Sequence, residues 1–214
     1  ILQISHNART YMGSGSALMG LRYAAAVGKV AAESVAVPVA LHLDHANETE
    51  VLQAMSLGFT SVMFDGGDLP LEENLAVTQK LREIAHSAGI FIEAEVGAVP
   101  RINVSGEVTG DTELTDPDHA AAFARAAGVD ALAIAIGSVH SVTEKQVLLD
   151  LERLKAIRAV VDIPLVLHGS SGVTDSHIGE GIRLGLCKVN VATQLNKGFT
   201  GMVRDKLAES PANV

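Results

Sequence analysis

The sequence predicts an α/β fold of parallel strands with helical crossovers, a (β/α)8 TIM barrel built from residues 1-214 as one domain. Three observations predict it. The first is a repeating punctuation of helix, glycine, strand and polar loop: Leu57-Gly58, Ala88-Gly89, Ala127-Gly128 and Leu184-Gly185 each precede a strand-like run. The second is the alternation in Ala131–Ile136, where odd positions are Ala and even positions are Leu132, Ile134 and Ile136. One small face and one bulky face suit a strand that lines a barrel and leans outward on helices. The third is that five strands end in polar residues assigned to one face, namely Asp44, Asp65, Glu95, His168 and Asn190. Active sites of βα barrels are built at that end. About seven strands can be counted, one short of eight. The deficit falls at the start, where the chain opens on Ile1 without an initiating Met and already reads as strand. A first strand and a C-terminal tail are therefore expected to be missing from this chain. A doubly wound open sheet is the competing fold, but no Gly-x-Gly-x-x-Gly follows an early strand.

The elements follow in order. Ile1–Ser5 reads as a strand, Gly13–Ser16 as a loop, and the Ala-rich stretch Ala17–Ala36 as a helix. Pro38 introduces the strand ending in His42-Leu43-Asp44-His45, where alternation sets Ala40, His42 and Asp44 opposite Leu41 and Leu43. Thr49–Leu57 is a short helix, Ser61–Asp65 a strand broken by Gly66-Gly67, Leu71–Ala88 a helix and Phe91–Val96 a strand. A polar loop runs to Asp116-Pro117, where Asp caps and Pro opens the helix Pro117–Ala127. After the strand Ala131–Ile136, a loop through His140 leads to a helix from about Leu149 to Val161. Pro164 introduces the strand Leu165–His168, and Asp175–Leu184 is the next helix. Lys188–Val191 and Gln194–Glu209 are the last strand and helix.

A net charge of -9 without any basic run argues against nucleic acid as a partner. Phosphorylated substrates remain compatible, because backbone N–H groups and metals bind anions without a basic surface. The single cysteine, Cys187, rules out an internal disulfide framework and makes a reducing cytoplasm the default location. No window is long and apolar enough to span a bilayer, and no signal peptide is visible.

His45, His140 and His168 fall at or just beyond strand ends. Three imidazoles leaving a fourth position open make a catalytic zinc site, with nearby carboxylates to orient or supplement them. Taken one at a time, each histidine is equally an ordinary hydrogen-bonded loop residue, and that plainer account suffices for His6, His86, His119 and His177. Two loops look like anion sites: His168-Gly169-Ser170-Ser171-Gly172, and Asn190-Val191-Ala192-Thr193 ahead of the last helix. A Gly-Ser loop alone is more often a flexible turn; its place beside a ligand histidine, after a late strand, is what raises it.

Across nearly its whole length the sequence resembles the class II, zinc-dependent ketose-bisphosphate aldolases. The matching segments are His42-Leu-Asp-His45, Glu93-Ala-Glu-Val-Gly97, Ala133-Ile-Ala-Ile-Gly137 with His140, Leu165-Val-Leu-His-Gly-Ser-Ser-Gly172, and Lys188-Val-Asn-Val-Ala-Thr193. The resemblance implies that His45, His140 and His168 bind the catalytic Zn2+ and that Asp44 is the catalytic acid/base. It implies that Asp65 and Glu95 can hold a second divalent ion or an alternative position of the zinc. Ser5, Ser141, Gly169, Ser170, Ser171, Asn190, Val191, Ala192 and Thr193 match positions around the dihydroxyacetone-phosphate moiety. The implied reaction is cleavage of the C3–C4 bond of a fructose or tagatose 1,6-bisphosphate, in a homodimer or homotetramer. Zinc on the C2 oxygen would spread the charge of the enediolate left behind. Ala192, where many fructose-bisphosphate enzymes carry an acidic residue, resembles the tagatose type.

The pattern departs from the family in three places. Ser141 follows His140 where the family usually has Gly, which touches phosphate or monovalent-cation contacts. The loop after Gly97 lacks the usual Gly-Gly pair, so Glu107 becomes the candidate acid that deprotonates the C4 hydroxyl, against its reading as a solvated loop Glu. Third, the first strand and the tail after Val214 are expected to be missing; in the family the tail helps complete the dimer and the second phosphate site. Other readings therefore stay open: an aldolase for another phosphorylated keto-sugar, such as one from inositol breakdown, or a metal barrel that holds sugar phosphate without turnover. A Schiff-base aldolase would need an inward lysine, for which Lys188 is a candidate on alternation.

Overall fold

The computed structural model describes residues 1–103, 105, 107–110 and 112–209. In chain order the elements are β1 (Leu2–Ile4), α1 (His6–Met12), α2 (Ala17–Glu33), β2 (Leu41–Ala46), α3 (Glu48–Ser56), β3 (Ser61–Phe64), α4 (Leu71–Ser87) and β4 (Phe91–Val96). There follow β5 (Arg101–Ile102), β6 (Val108–Thr109), α5 (Pro117–Ala127), β7 (Ala131–Ile134), α6 (Leu151–Val160), β8 (Leu165–Leu167), a 3-10 turn at Ser170–Gly172, α7 (Asp175–Arg183), β9 (Leu186–Val189) and α8 (Thr193–Glu209). The expected α/β alternation is present, and seven strands hydrogen-bond in the order β1-β2-β3-β4-β7-β8-β9. Among the described residues these seven are the strands of the main sheet, where the barrel expectation calls for eight.

The chain divides into two compact units, Ile1–Val96 with His119–Ala133, and Gly97–Asp118 with Ile134–Val214. In the first, β1 to β4 pair in parallel, with Leu2 opposite Leu41, Leu43 opposite Val62, and Val62 opposite Ile92. Leu43, Val62, Met63, Ile92 and Leu81 are fully buried. Each such side chain contributes about 1.5–3 kcal/mol through the water it leaves. Helix α3 starts on a capping box in which the Asn47 side chain and Glu50 satisfy one another's backbone N–H groups. Helix α2 approaches α1 so closely at Gly20 that a Cβ there would lie 1.7 Å from the Arg9 carbonyl oxygen.

In the second unit β8 and β9 pair in parallel, Leu165 with Leu186 and Leu167 with Val189, with a register shift between Leu165 and Val166. The buried Thr115 hydroxyl accepts from the Ala135 N–H (2.8 Å), and the Thr115 carbonyl accepts from Arg153 (2.9 Å). The first of these bonds holds the backbone just past the end of β7.

The structure differs from the sequence expectations in four places. Residues His6–Met12 form a helix where none was expected before the Gly13–Ser16 loop. The long polar loop contains an antiparallel hairpin, β5 with β6. The last strand lies two residues earlier than expected, so Asn190 follows it rather than lying within it. Strand β2 is irregular between Leu43 and Ala46.

Candidate active site

In the first unit the site residues come from the ends of β2, β3 and β4. The β2 ladder shifts register between Leu43 and Ala46, and His45 stands at φ +45°. Pleat alternation therefore stops at Leu43, and the bulge rather than the period-2 pattern sets Asp44 and His45. Asp44 is 6% exposed. The Asp65 carboxylate, just past β3, lies 2.6 Å from His45 Nδ1. A carboxylate there favours the tautomer with hydrogen on Nδ1 and leaves Nε2 as the ligand nitrogen. Glu95, 3% exposed, is anchored through its carbonyl, which accepts from Asn74 Nδ2 (3.3 Å). Ser5 is half-buried at the N-cap position of α1, where its side chain makes no cap bond.

On β2, ahead of Asp44, lies a buried cluster whose His42 and Glu93 open two of the matching segments but were given no site role. His42 Nδ1 is 2.7 Å from the Ser61 hydroxyl, and His42 Nε2 is 4.0 Å from the Glu93 carboxylate. The alternation that grouped His42 with Asp44 was the available signal; burial of Glu93 at 0% exposure was not readable from its spacing.

In the second unit His140 and His168 converge. His168 is fully buried directly after β8, and the two rings lie 6.2 Å apart at 50°. Each offers a nitrogen within 4.8 Å of the other's, a separation that small side-chain shifts would bring into shared metal coordination. Backbone bonds fix His140 in place: its N–H donates to the Pro100 carbonyl (2.8 Å), and its own carbonyl accepts from Ile102 (3.0 Å). Gly169 (φ +63°) is required because a Cβ would meet the Val139 carbonyl carbon at 2.8 Å and the His140 nitrogen at 3.0 Å. Ser141 occupies the left-handed region as well, at φ +66°.

The two predicted anion loops are joined in this unit: the Ser170 hydroxyl donates to the Asn190 carbonyl. Ser171 is buried, while Val191 and Ala192 are exposed ahead of Thr193, the first residue of α8. Gln194 Nε2 donates to the Ser171 and Thr143 carbonyls at 3.0 and 2.9 Å. Lys197 bonds Glu144 at 2.8 Å, and its ammonium holds that exposed carboxyl below the usual carboxylate range. The 141–144 segment, the Gly169–Ser171 turn and the start of α8 thus form one connected set. Glu107, just before β6, is exposed, with its carboxylate 3.1 Å from Asn103 Nδ2.

An α/β chain with imidazoles and carboxylates at the ends of its parallel strands has the features of a metal-assisted enzyme. The family model for class II fructose-bisphosphate aldolases matches residues 1–214, and the chain belongs to that family. It is an aldolase, a lyase of carbohydrate metabolism. The family is generally metal-dependent, and its substrates are phosphorylated sugars. Among solved structures the chain is similar to the YdjI aldolase from Escherichia coli K12, at 31% identity and TM-score 0.77, over 95% of this chain and 69% of that one. It is also similar to a Coccidioides immitis protein proposed to be a fructose-1,6-bisphosphate aldolase, at 33% identity and TM-score 0.76, over 88% and 70%. The fold alone is shared with fructose-bisphosphate aldolase from Campylobacter jejuni, at 24% identity and TM-score 0.79, over 98% and 69%.

Proposed function

We propose that this aldolase uses zinc to cleave and form the C3–C4 bond of a ketose 1,6-bisphosphate, fructose or tagatose, with dihydroxyacetone phosphate and glyceraldehyde 3-phosphate as products. In this reading residues 1-214 act as one catalytic domain of a cytoplasmic homodimer or homotetramer. The carrying observation is the donor set: the His140–His168 pair in the second unit, and in the first His45, whose Nδ1 is engaged by Asp65. Three neutral imidazoles with a fourth position left for substrate fit a catalytic zinc, and His45, His140 and His168 would hold it. Asp65 and Glu95 are the carboxylates for a second divalent ion or an alternative metal position. Bound zinc supplies Lewis-acid polarisation of the ketose C2 oxygen.

The chain's own groups do the rest. Cleavage removes the proton of the C4 hydroxyl, breaks C3–C4 and delivers a proton to C3. Asp44, buried beside His45, and Glu107, on the hairpin loop, are the carboxyls that share these transfers. The backbone N–H groups of Gly169, Ser170 and Ser171, and of Asn190, Val191, Ala192 and Thr193 at the start of α8, bind the phosphate of the dihydroxyacetone moiety. Ser141 and Ser5 add hydroxyls, and a monovalent cation can sit beside Ser141. The bond between Ser170 and Asn190 supports a single phosphate site for both loops.

A coupled assay for triose phosphate with fructose and tagatose 1,6-bisphosphates, with and without a zinc chelator, tests the proposal. Chelator-sensitive cleavage of either supports it, and the better substrate names the subtype. Absence of cleavage by zinc-loaded protein would sink it. That outcome would favour another phosphorylated keto-sugar, a reading to which Ser141 and the Asn103–Glu107 loop already lend weight.

A further inference from the structure

The backbone at Asp44 and His45 is held by a side chain that no motif includes. Arg9, on α1, is fully buried, and its guanidinium meets a carboxylate, two carbonyls and, at 3.2 Å from Nη2, the His6 Nδ1. Nε and Nη2 grip the Glu50 carboxylate at 3.2 and 2.7 Å. Nη1 donates to the Asp44 carbonyl at 3.1 Å, and Nη2 to the His45 carbonyl at 3.0 Å. Those two carbonyls lie where the β2 ladder is irregular and His45 adopts φ +45°. A non-glycine residue stays in that region only when its surroundings over-determine it. Glu50 closes the other side, because Oε2 also accepts from the Asn47 N–H (3.2 Å), while Asn47 caps Glu50's own N–H (3.0 Å).

We propose that Arg9 and Glu50 are positioning residues, a buried clamp that fixes the Asp44–Asn47 backbone and thereby aims the Asp44 carboxylate and the His45 imidazole. The clamp acts through the main chain, so it touches neither metal nor substrate. Its planar five-donor fork matters. Lysine offers a point charge with three donors and cannot serve a bidentate carboxylate and two carbonyls together. The significance of this role rests on the reading of Asp44 as acid–base group and His45 as metal ligand.

The test measures Arg9→Lys, Glu50→Gln and the uncharged pair Arg9→Met/Glu50→Leu beside the parent protein. Glu50→Gln keeps an amide oxygen for the α3 cap, since glutamine also serves a capping box. The double variant removes both buried charges together, which spares the fold an unpaired ion. Circular dichroism at the assay temperature selects the variants that are folded. For those, kcat, KM and zinc affinity by chelator competition are read separately. The expected result is a tenfold or greater loss in kcat and in zinc affinity, with KM within threefold. A loss under threefold in both kcat and zinc affinity, in every folded variant, overturns the proposal; a larger loss in either supports it. Zinc affinity is read without turnover. A parent protein that cleaves neither bisphosphate therefore fails the functional reading, while the clamp is still judged on its metal readout.

Discussion

Ser141 holds a left-handed backbone at φ +66°, a conformation that costs an L-residue about 1–2 kcal/mol. Glycine removes that cost but makes the unfolded chain more flexible, which takes back about 0.4–1 kcal/mol. Ser141→Gly is therefore expected to raise unfolding free energy by up to about 1.5 kcal/mol in urea titration. Gly169 behaves oppositely. Its neighbours are backbone atoms of Val139 and His140, at 2.8 and 3.0 Å from a built Cβ, and backbone yields less readily than a side chain. Gly169→Ala is expected to cost about 2 kcal/mol or more, from strain plus collision. It is also expected to weaken zinc binding by displacing His140, which chelator competition would measure. At this scale the sequence was informative about position: Asp44, His45, Asp65, Glu95 and His168 were expected at or just beyond strand ends, and the structure places them there. Arg9 and Glu50 escaped because partners 41 residues apart leave no periodic trace, and a lone arginine on a short polar stretch reads as solvated.

Element boundaries from the glycine punctuation hold to within one to three residues for most of the helices, because a C-terminal glycine is a local signal. The two missed elements are the ones that local signals do not specify. Helix α1 has seven residues and is held by the Arg9 network and by close approach at Gly20, both long-range. Strands β5 and β6 have two residues each, too few for alternation to register. The hairpin bears on the proposed function because its start is bonded to His140, through Pro100 and Ile102, and Glu107 lies just before β6. If Glu107 transfers a proton, Glu107→Gln lowers kcat by about 10²-fold or more, the usual contribution of a general acid or base. If it only bonds Asn103, kcat stays within twofold. Steady-state kinetics on the cleaved bisphosphate decides, and zinc affinity should not change in either case.

At the scale of the whole molecule, the proposed zinc ligands are His45, His140 and His168. A ligand that binds the folded but not the unfolded chain stabilises it by mass action, RT ln(1 + [L]/Kd). Free zinc at 100 times Kd contributes about 2.7 kcal/mol. For 214 residues each kcal/mol moves Tm by about 2–4 °C. Stripping the metal is therefore expected to lower Tm by about 5–10 °C, and restoring zinc should recover it. A His45→Ala variant separates coordination by all three histidines from binding by the second-unit pair alone. If His45 is a ligand, the variant loses most of the zinc-dependent rise in Tm. If His140 and His168 hold the ion unaided, the rise survives intact, and scanning calorimetry of the two proteins with and without zinc distinguishes these outcomes. Loss of the rise would make His45 part of the zinc site, so that catalytic competence and zinc-dependent stability would appear at the same zinc concentration.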